Sequence, residues 1–252
     1  MQHTSDAILI VEDGGAVQYA SPAVQHLFGC RRVDGTSRWV EVHVTNLIDT
    51  PSVGGFVCNM RDIGTRKRAH LQLVHEAQHD PLTHLANRRL FLERLDRAWG
   101  ESTAAGVIAV LFIDVGHFKD INDRLGHEVG DHALLTIANA LSTLLRPTDL
   151  VARFGGDEFA VLVDRMPDLD GALEVAERIR TQVSGCHRVD GHDVSLGVSV
   201  GVATSRDAKS ATELLRNSDQ AMYCAKRDGR ARCEPYDGQI HQPSPTMAEH
   251  LG

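Results

Sequence analysis

Residues 107–114, Val-Ile-Ala-Val-Leu-Phe-Ile-Asp, are apolar without a break until the final carboxylate. A strand that faces water on one side alternates apolar and polar side chains; one that does not alternate is covered on both faces. The run is therefore read as a buried central strand with a layer packed on each side. Its last residue, Asp114, puts an acid at the end of that strand.

The surrounding segments supply the layers. Residues 82–99 read as a helix. Residues 131–145 carry Leu134, Ile137, Ala138, Leu141 and Leu145 on one helical face, and Pro147 stops them. Residues 151–153 and 159–163 flank Gly155-Gly156 as the strands of a hairpin. Residues 172–183 read as a helix, 194–203 as a strand, and 211–227 as a helix closed by Gly229. Helices alternating with a central, mostly antiparallel sheet predict an α/β (α+β) layer fold of the ferredoxin-like kind.

The N-terminal part is different. Residues 7–11 and 17–20 read as two strands around Glu12-Asp13-Gly14-Gly15. Ser21-Pro22 opens a short helix with Val24, Leu27 and Phe28 on one face, ended by Gly29. Residues 39–44 and 55–60 alternate and read as a second hairpin around Asp49-Thr-Pro-Ser. Residues 65–78 turn periodic, with Leu71, Val74 and Gln78 in one stripe and Leu73 and Ala77 beside it. Such a helix either pairs with its copy in a dimer or packs on its own domain. Residues 238–252 show no apolar period and are expected to be a disordered tail.

The chain has 252 residues, 42% of them apolar, which suits one ordinary domain plus a small one. Its net charge is −8, without the basic face that nucleic acid or an anionic membrane would need. Five cysteines, at positions 30, 58, 186, 224 and 233, form no CxxC pair and are odd in number, which fits a reducing compartment. The first residues show neither a signal peptide nor a membrane-spanning run. The expectation is a cytoplasmic protein.

The chemistry gathers around the central strand. Asp114 ends it, and Gly155-Gly-Asp-Glu-Phe159 places Asp157 and Glu158 on a tight hairpin. Carboxylates converging there repel one another unless a cation sits between them, and Mg²⁺ prefers such oxygen ligands together with nucleotide phosphates. The two glycines let the hairpin backbone approach a phosphate. Lys226 and Arg230 lie four apart at a helix end, spaced to hold a triphosphate, with Lys119 after Phe118 as a third cation. Asn122 and Asp131 offer acceptors and donors that fit a guanine edge. Helix capping is the competing role for Asp131.

Six motifs then occur in a characteristic order. They are Asp80-Pro-Leu-Thr-His-Leu-Ala-Asn-Arg88, Phe112-Ile-Asp-Val-Gly-His-Phe-Lys-Asp-Ile-Asn-Asp123, Gly126-His-Glu-Val-Gly-Asp131, Arg153-Phe-Gly-Gly-Asp-Glu-Phe159, Gly197-Val-Ser-Val-Gly-Val-Ala203 and Ala221-Met-Tyr-Cys-Ala-Lys-Arg-Asp-Gly-Arg230. With them the chain resembles the diguanylate cyclases, a GGDEF or nucleotide-cyclase-type domain over residues 79–237. Residues 1–64 resemble a PAS sensor module through Asp6-Ala-Ile-Leu-Ile-Val-Glu-Asp-Gly, Tyr19-Ala-Ser-Pro-Ala and Arg61-Asp-Ile-Gly-Thr-Arg-Lys. This module is shortened: the helices that wall a PAS pocket are expected to be missing between Cys30 and Gly35. Residues 65–78 would be the signalling helix between the two.

The resemblance implies roles. Asp114, Asp157 and Glu158, with the Val115 carbonyl, would hold Mg²⁺ (or Mn²⁺), Asp157 and Glu158 being the catalytic pair. Phe118, Lys119, Asn122, Asp131, Leu134, Gly155, Gly156, Lys226 and Arg230 would bind GTP. Arg146 and Asp149 of Arg146-Pro-Thr-Asp149 match an Arg-x-x-Asp product-inhibition site, joined by Arg178 from a neighbouring domain. The implied reaction joins two GTP molecules into cyclic di-GMP with release of two pyrophosphates, in a homodimer. The alternative is an inactive GGDEF receptor that binds GTP or cyclic di-GMP. Two positions depart from the motifs: Gly116 replaces a second acid, and His84 replaces a glycine. His75-Glu-Ala-Gln-His79 also satisfies HExxH, but His79 belongs to the cyclase motif and no third zinc ligand is marked.

Overall fold

The computed structural model describes residues 7–12, 16–24, 39–101, 106–227 and 231–238. The chain divides into two compact units, Met1–Ala77 and Gln78–Gly252.

In the first unit β1 (Ala7–Glu12), β2 (Val17–Ala20), β3 (Val40–Leu47) and β4 (Gly55–Asp62) form an antiparallel sheet in the order β2-β1-β4-β3. The two hairpins read from the sequence are its outer pairs, and β1 against β4 joins them. At that seam Ala7 faces Met60, and both are buried. Residues 22–24 are helical. Leu27, Phe28, Gly29 and the stretch between Cys30 and Gly35 lie outside the described residues. Helix α1 (Gly64–Gln78) starts where the Gly64 amide donates to Asp62 Oδ1 at 2.7 Å. Its Leu71 and Leu73 are 60% and 64% exposed.

The second unit runs β5 (Ala86–Asn87), α2 (Arg88–Glu101), β6 (Val107–Gly116), α3 (Phe118–Leu125), α4 (His127–Leu144), β7 (Leu150–Gly155), β8 (Glu158–Met166), α5 (Leu169–Val183), β9 (Gly185–Val189), β10 (His192–Thr204), a 3₁₀ turn at Ser205–Asp207, α6 (Ala211–Arg227) and β11 (Cys233–Pro235). The sheet order is β11-β10-β6-β8-β7-β5, with β9 paired to β10. The inner neighbours are antiparallel; the outer pairs β5/β7 and β10/β11 are parallel. This is an α+β arrangement with a mostly antiparallel sheet.

Every residue of β6 is buried, as its unbroken apolar run requires. The pleat sorts its side chains into two cores. Leu111, Ile113 and Val115 pack with Ile121 of α3, with Leu134 and Ile137 of α4, and with Ile179 of α5. Ile108, Val110 and Phe112 pack with Phe91 and Leu95 of α2 and with Leu214 and Met222 of α6. Asp114 falls on the second face, at its end, so α6 is the helix that covers it.

Three expectations need correction. Residues 82–87 are not helical: Asp80 accepts from both the amide and the hydroxyl of Thr83, at 2.8 and 2.7 Å, and makes a closed turn instead. The helix starts at Arg88, where Asn87 Oδ1 accepts from the Leu90 amide at 3.1 Å. Helix α4 starts four residues before Asp131, so Asp131 stands in its second turn and does not cap it. Helix α3 and strands β9 and β11 were not anticipated; β9 and β11 have only 5 and 3 residues and carry little periodic signal.

The closed turn also explains His84. It sits at φ +58, the left-handed region, and its side chain is exposed. A Cβ there costs about 1 kcal/mol that glycine avoids. His84→Gly is expected to raise unfolding stability by up to about 1 kcal/mol in urea denaturation; an unchanged or lower midpoint would show that the imidazole offsets the strain.

Candidate active site

The end of β6 and the β7–β8 hairpin are held together by pairing. Asp114 lies opposite Glu158 of β8 on one side and Ser199 of β10 on the other. Directly opposed residues share a sheet face, so three polar side chains form one row across the three central strands. The turn Gly156-Asp157 follows; the Val115 amide donates to the Asp157 carbonyl at 3.1 Å and draws the turn toward the strand end. Gly156 sits at φ +50, and the space beside it is open.

Asp114 is 2% exposed. Its Oδ2 accepts from Lys226 Nζ at 2.8 Å, whereas its buried Oδ1 has no hydrogen-bond donor. Glu158 and Asp219 of α6 are buried beside it. Burial first, then the charges of Asp219, Asp114 and Asp157, push the Glu158 carboxyl up to about 7, against the pull of Lys226. Burial and Asp114 likewise raise Asp157, opposed by its own amide, Lys226 and Arg153. The cluster therefore holds more negative charge than its neighbouring cations offset.

That charge and the orphaned Oδ1 suit a divalent cation. Among the described residues no three His, Cys, Asp or Glu side chains form a metal cage by themselves. Mg²⁺ commonly takes one or two carboxylates and completes its shell with substrate phosphate and water, and Asp114 with the hairpin acids fits that habit.

Arg153 fixes the hairpin. Its Nε and Nη2 donate to the Gly156 carbonyl at 3.1 and 2.9 Å, and its Nη1 donates to Asp80 Oδ1 at 3.0 Å. Burial opposes ionisation of Asp80, but hydrogen bonds from Thr83 and Arg153 hold its pKa below the usual carboxylate range. The Asp80 turn is thus wired to the GGDEF turn through one guanidinium.

A second group lies where α3 meets α4. Asn122 Oδ1 is buried without a donor. A Cβ on Gly130 would stand 1.9 Å from it, so the Asn122 side-chain amide holds this place only because residue 130 has no side chain. Asp131, the next residue, is exposed, and Leu134 is buried one turn on. Phe118 is half-buried and Lys119 exposed on the first turn of α3.

The profile described as "Diguanylate cyclase, GGDEF domain" matches residues 77–232. The chain belongs to that family. It is 45% identical over 161 residues to the diguanylate cyclase TpbB of Pseudomonas aeruginosa, covering 63% of this chain and 37% of that protein. Against the diguanylate cyclase DgcM of Escherichia coli it is 39% identical over 205 residues, covering 79% of this chain and 48% of that protein. The chain thus spans less than half the length of these relatives. The crystal structure of the TpbB GGDEF domain superposes with a TM-score of 0.60 at 42% identity, covering 62% of this chain and 98% of that one. The coiled coil and GGDEF domain of DgcB from Caulobacter crescentus, solved in complex with c-di-GMP, gives 0.63 at 32% identity, covering 68% and 92%. The second unit carries the GGDEF-type α+β fold.

Of the expected site residues, the GGDEF fold brings Asp114, Val115, Gly155, Gly156, Asp157, Glu158 and Lys226 to one end of the sheet. Phe118, Asn122, Asp131 and Leu134 gather on the α3–α4 pair. Arg230 lies outside the described residues. Arg146 and Asp149 stand elsewhere, in a groove of about 550 Å³ that Arg94, Arg97 and Arg165 also line. The Arg146 amide donates to Asp149 Oδ2 at 3.0 Å, so that carboxylate also closes its own turn. Arg178 is exposed on α5 and reaches the Leu144 carbonyl at 3.4 Å. Gly116 is buried, with the Gly197 carbonyl 3.4 Å from where its Cβ would be.

Sequence reading missed Arg153, Asp219 and Ser199 as site residues. The Asp80-Pro-Leu-Thr83 turn hinted at a partner for Asp80. Asp219, seven residues before Lys226, shares its helix face, which is a usable signal.

The raised Glu158 pKa predicts a pH dependence. The native state keeps a proton that the unfolded chain has released, so stability of the metal-free protein falls as pH rises from about 4.5 through about 7. In chelator, Tm is expected to fall between pH 5 and 8. Glu158→Gln is expected to flatten that fall and to melt higher than wild type at pH 8. Parallel Tm–pH curves for the two proteins would contradict the charge crowding.

Proposed function

We propose that this chain is a diguanylate cyclase that joins two GTP molecules into cyclic di-GMP and releases two pyrophosphates. The observation that carries the reading is the buried Asp114 set against the hairpin acids, with Oδ1 without a donor and Lys226 alongside. An inactive receptor that only binds nucleotide would not need this crowding of acids.

In this reading Asp114, the Val115 carbonyl, Asp157 and Glu158 hold Mg²⁺ (or Mn²⁺). A divalent cation there would make the attacking 3′-hydroxyl more acidic and offset charge on the α-phosphate and leaving pyrophosphate. Lys226 exchanges its bond to Asp114 for the triphosphate, where Lys119 and Arg230 join it. Gly155 and Gly156 leave room for phosphate against the turn. Asp131 accepts from guanine N1–H and N2–H₂, which adenine does not offer. Asn122 adds to that recognition, and Phe118 and Leu134 give the base an apolar floor. Arg153 keeps the turn carbonyl from moving as the charges change.

Each domain holds one GTP, so two must face each other, and the working form is a homodimer. The exposed Leu71 and Val74 of α1, three residues apart on one helix face, support a helix that pairs with its copy. The four-stranded antiparallel sheet supports a shortened PAS-like module over residues 1–64, acting as a scaffold. Among the described residues no helix is long and apolar enough to cross a membrane. With the scattered cysteines this favours the cytoplasm.

Product inhibition is part of the proposal. The groove at Arg146 and Asp149 carries further arginines at 94, 97 and 165 beside the acids Glu101 and Asp164, and these guanidinium groups offer donors to an anionic dinucleotide. Product bound there and bridged to Arg178 of a neighbouring domain would hold two active sites apart.

Two measurements test these roles. Purified protein with GTP and Mg²⁺ is expected to release pyrophosphate and form cyclic di-GMP, and Asp157→Ala is expected to lose about 100-fold or more in kcat. Nucleotide binding without pyrophosphate release by the wild type would favour the receptor. Arg146→Ala is expected to keep its initial rate and lose inhibition by added cyclic di-GMP; equal inhibition of mutant and wild type would rule this groove out.

A further inference from the structure

We propose that Ser199 is a positioning residue of this site: its hydroxyl holds the Asp114 carboxylate in place for the cation and the triphosphate. The inference rests on the cyclase reading above.

Ser199 is 1% exposed and lies opposite Asp114 in the β10–β6 ladder. Residues so paired carry their Cβ atoms on one face, about 4.5–5.5 Å apart. The Ser199 Oγ and the Asp114 Oδ1 are both buried without a hydrogen-bond partner. They are neighbouring orphans, one able to donate and the other only to accept. A buried hydroxyl with nothing to bond is destabilising, so its presence needs a reason.

Space does not supply that reason. The next residues on this face of β10 are Gly201 and Ala203, and a Cβ at Gly201 would meet the Met222 amide of α6 at 2.0 Å. The helix backbone therefore rides directly on the strand, and only small residues fit. Alanine would fit at 199 as well as serine and would bury no polar atom.

The hydroxyl has work once GTP arrives. In this structure Lys226 holds Asp114 Oδ2. When Lys226 turns to the triphosphate, that oxygen loses its donor while Asp114 must still present an oxygen to the cation. Ser199, fixed on the adjacent strand, can rotate its hydroxyl onto the carboxylate and stop it from swinging. Carboxylates that ligate metals are commonly held by such a second hydrogen bond, and losing it typically weakens metal binding about 10–100-fold.

Mn²⁺ is the probe, titrated into the full chain by electron paramagnetic resonance with a non-hydrolysable GTP analogue present. Ser199→Ala is expected to bind Mn²⁺ about tenfold more weakly. Ser199→Cys, close to serine in size but with a weaker donor, is expected to fall between alanine and wild type. The metal-free Tm of Ser199→Ala is expected to match or exceed that of wild type, because an unpaired buried hydroxyl is gone. Wild-type Mn²⁺ affinity in Ser199→Ala overturns the proposal, as does a metal-free Tm that falls together with the affinity. A wild-type protein that binds no Mn²⁺ overturns the metal site itself and the cyclase reading with it.

Discussion

A carboxylate taken out of water must be matched by positive charge, and Asp114 is taken out almost completely. The rest of the second unit follows from supporting it there. Strand β6 is buried along its whole length, so its end is rigid. Helix α6 lies against the same face and delivers Lys226 to one carboxylate oxygen. The ladder brings Glu158 to the other side, and the cost shows in a Glu158 pKa of about 7. Such a site has more acceptors than donors, and that imbalance is what the proposal of a divalent cation rests on.

The hairpin that completes the cluster is held from outside it. Arg153 spans from the Gly156 carbonyl to Asp80, and Asp80 is pinned by Thr83. The turn that opens the second unit and the turn that carries Asp157 therefore share one guanidinium. A shift in the Asp80 turn reaches the acids through two hydrogen-bonded contacts. The α3–α4 pair is built by a different device: Gly130 gives up its side chain so that Asn122 can sit against α4, one residue before Asp131. Rigid packing at both places turns loosely spaced motif residues into groups held in fixed positions.

Much of this was legible in the amino-acid order. The unbroken run at residues 107–114 required a strand covered on both faces, because no polar side chain alternates to meet water. Gly155-Gly156 between two apolar stretches required a hairpin. The order of six motifs led to the family, and the profile match over residues 77–232 agrees with it. What local patterns could not give was the start of α2 or α4. The first is set by Asp80 bonding Thr83, which overrides the apolar period of residues 82–87. The second lies seven residues ahead of Leu134, where the named apolar face begins, in a turn that opens on the exposed His127 and Glu128 and holds Gly130, a poor helix former.

Only the tertiary structure decided which side chains share the site. Ser199 and Asp219 look like ordinary strand and helix residues, and Arg153 like a residue flanking a motif. Strand register puts Ser199 beside Asp114, helix packing on β10 turns Asp219 toward Glu158, and the hairpin's fold brings Arg153 back to its own turn. Register and packing depend on residues far apart in the chain, so no local period encodes them. The sequence by itself determined the family, the layers and the acids; the fold decided which hydroxyl, which guanidinium and which buried carboxylate those acids meet, because a partner across a sheet is a property of the ladder and not of the strand.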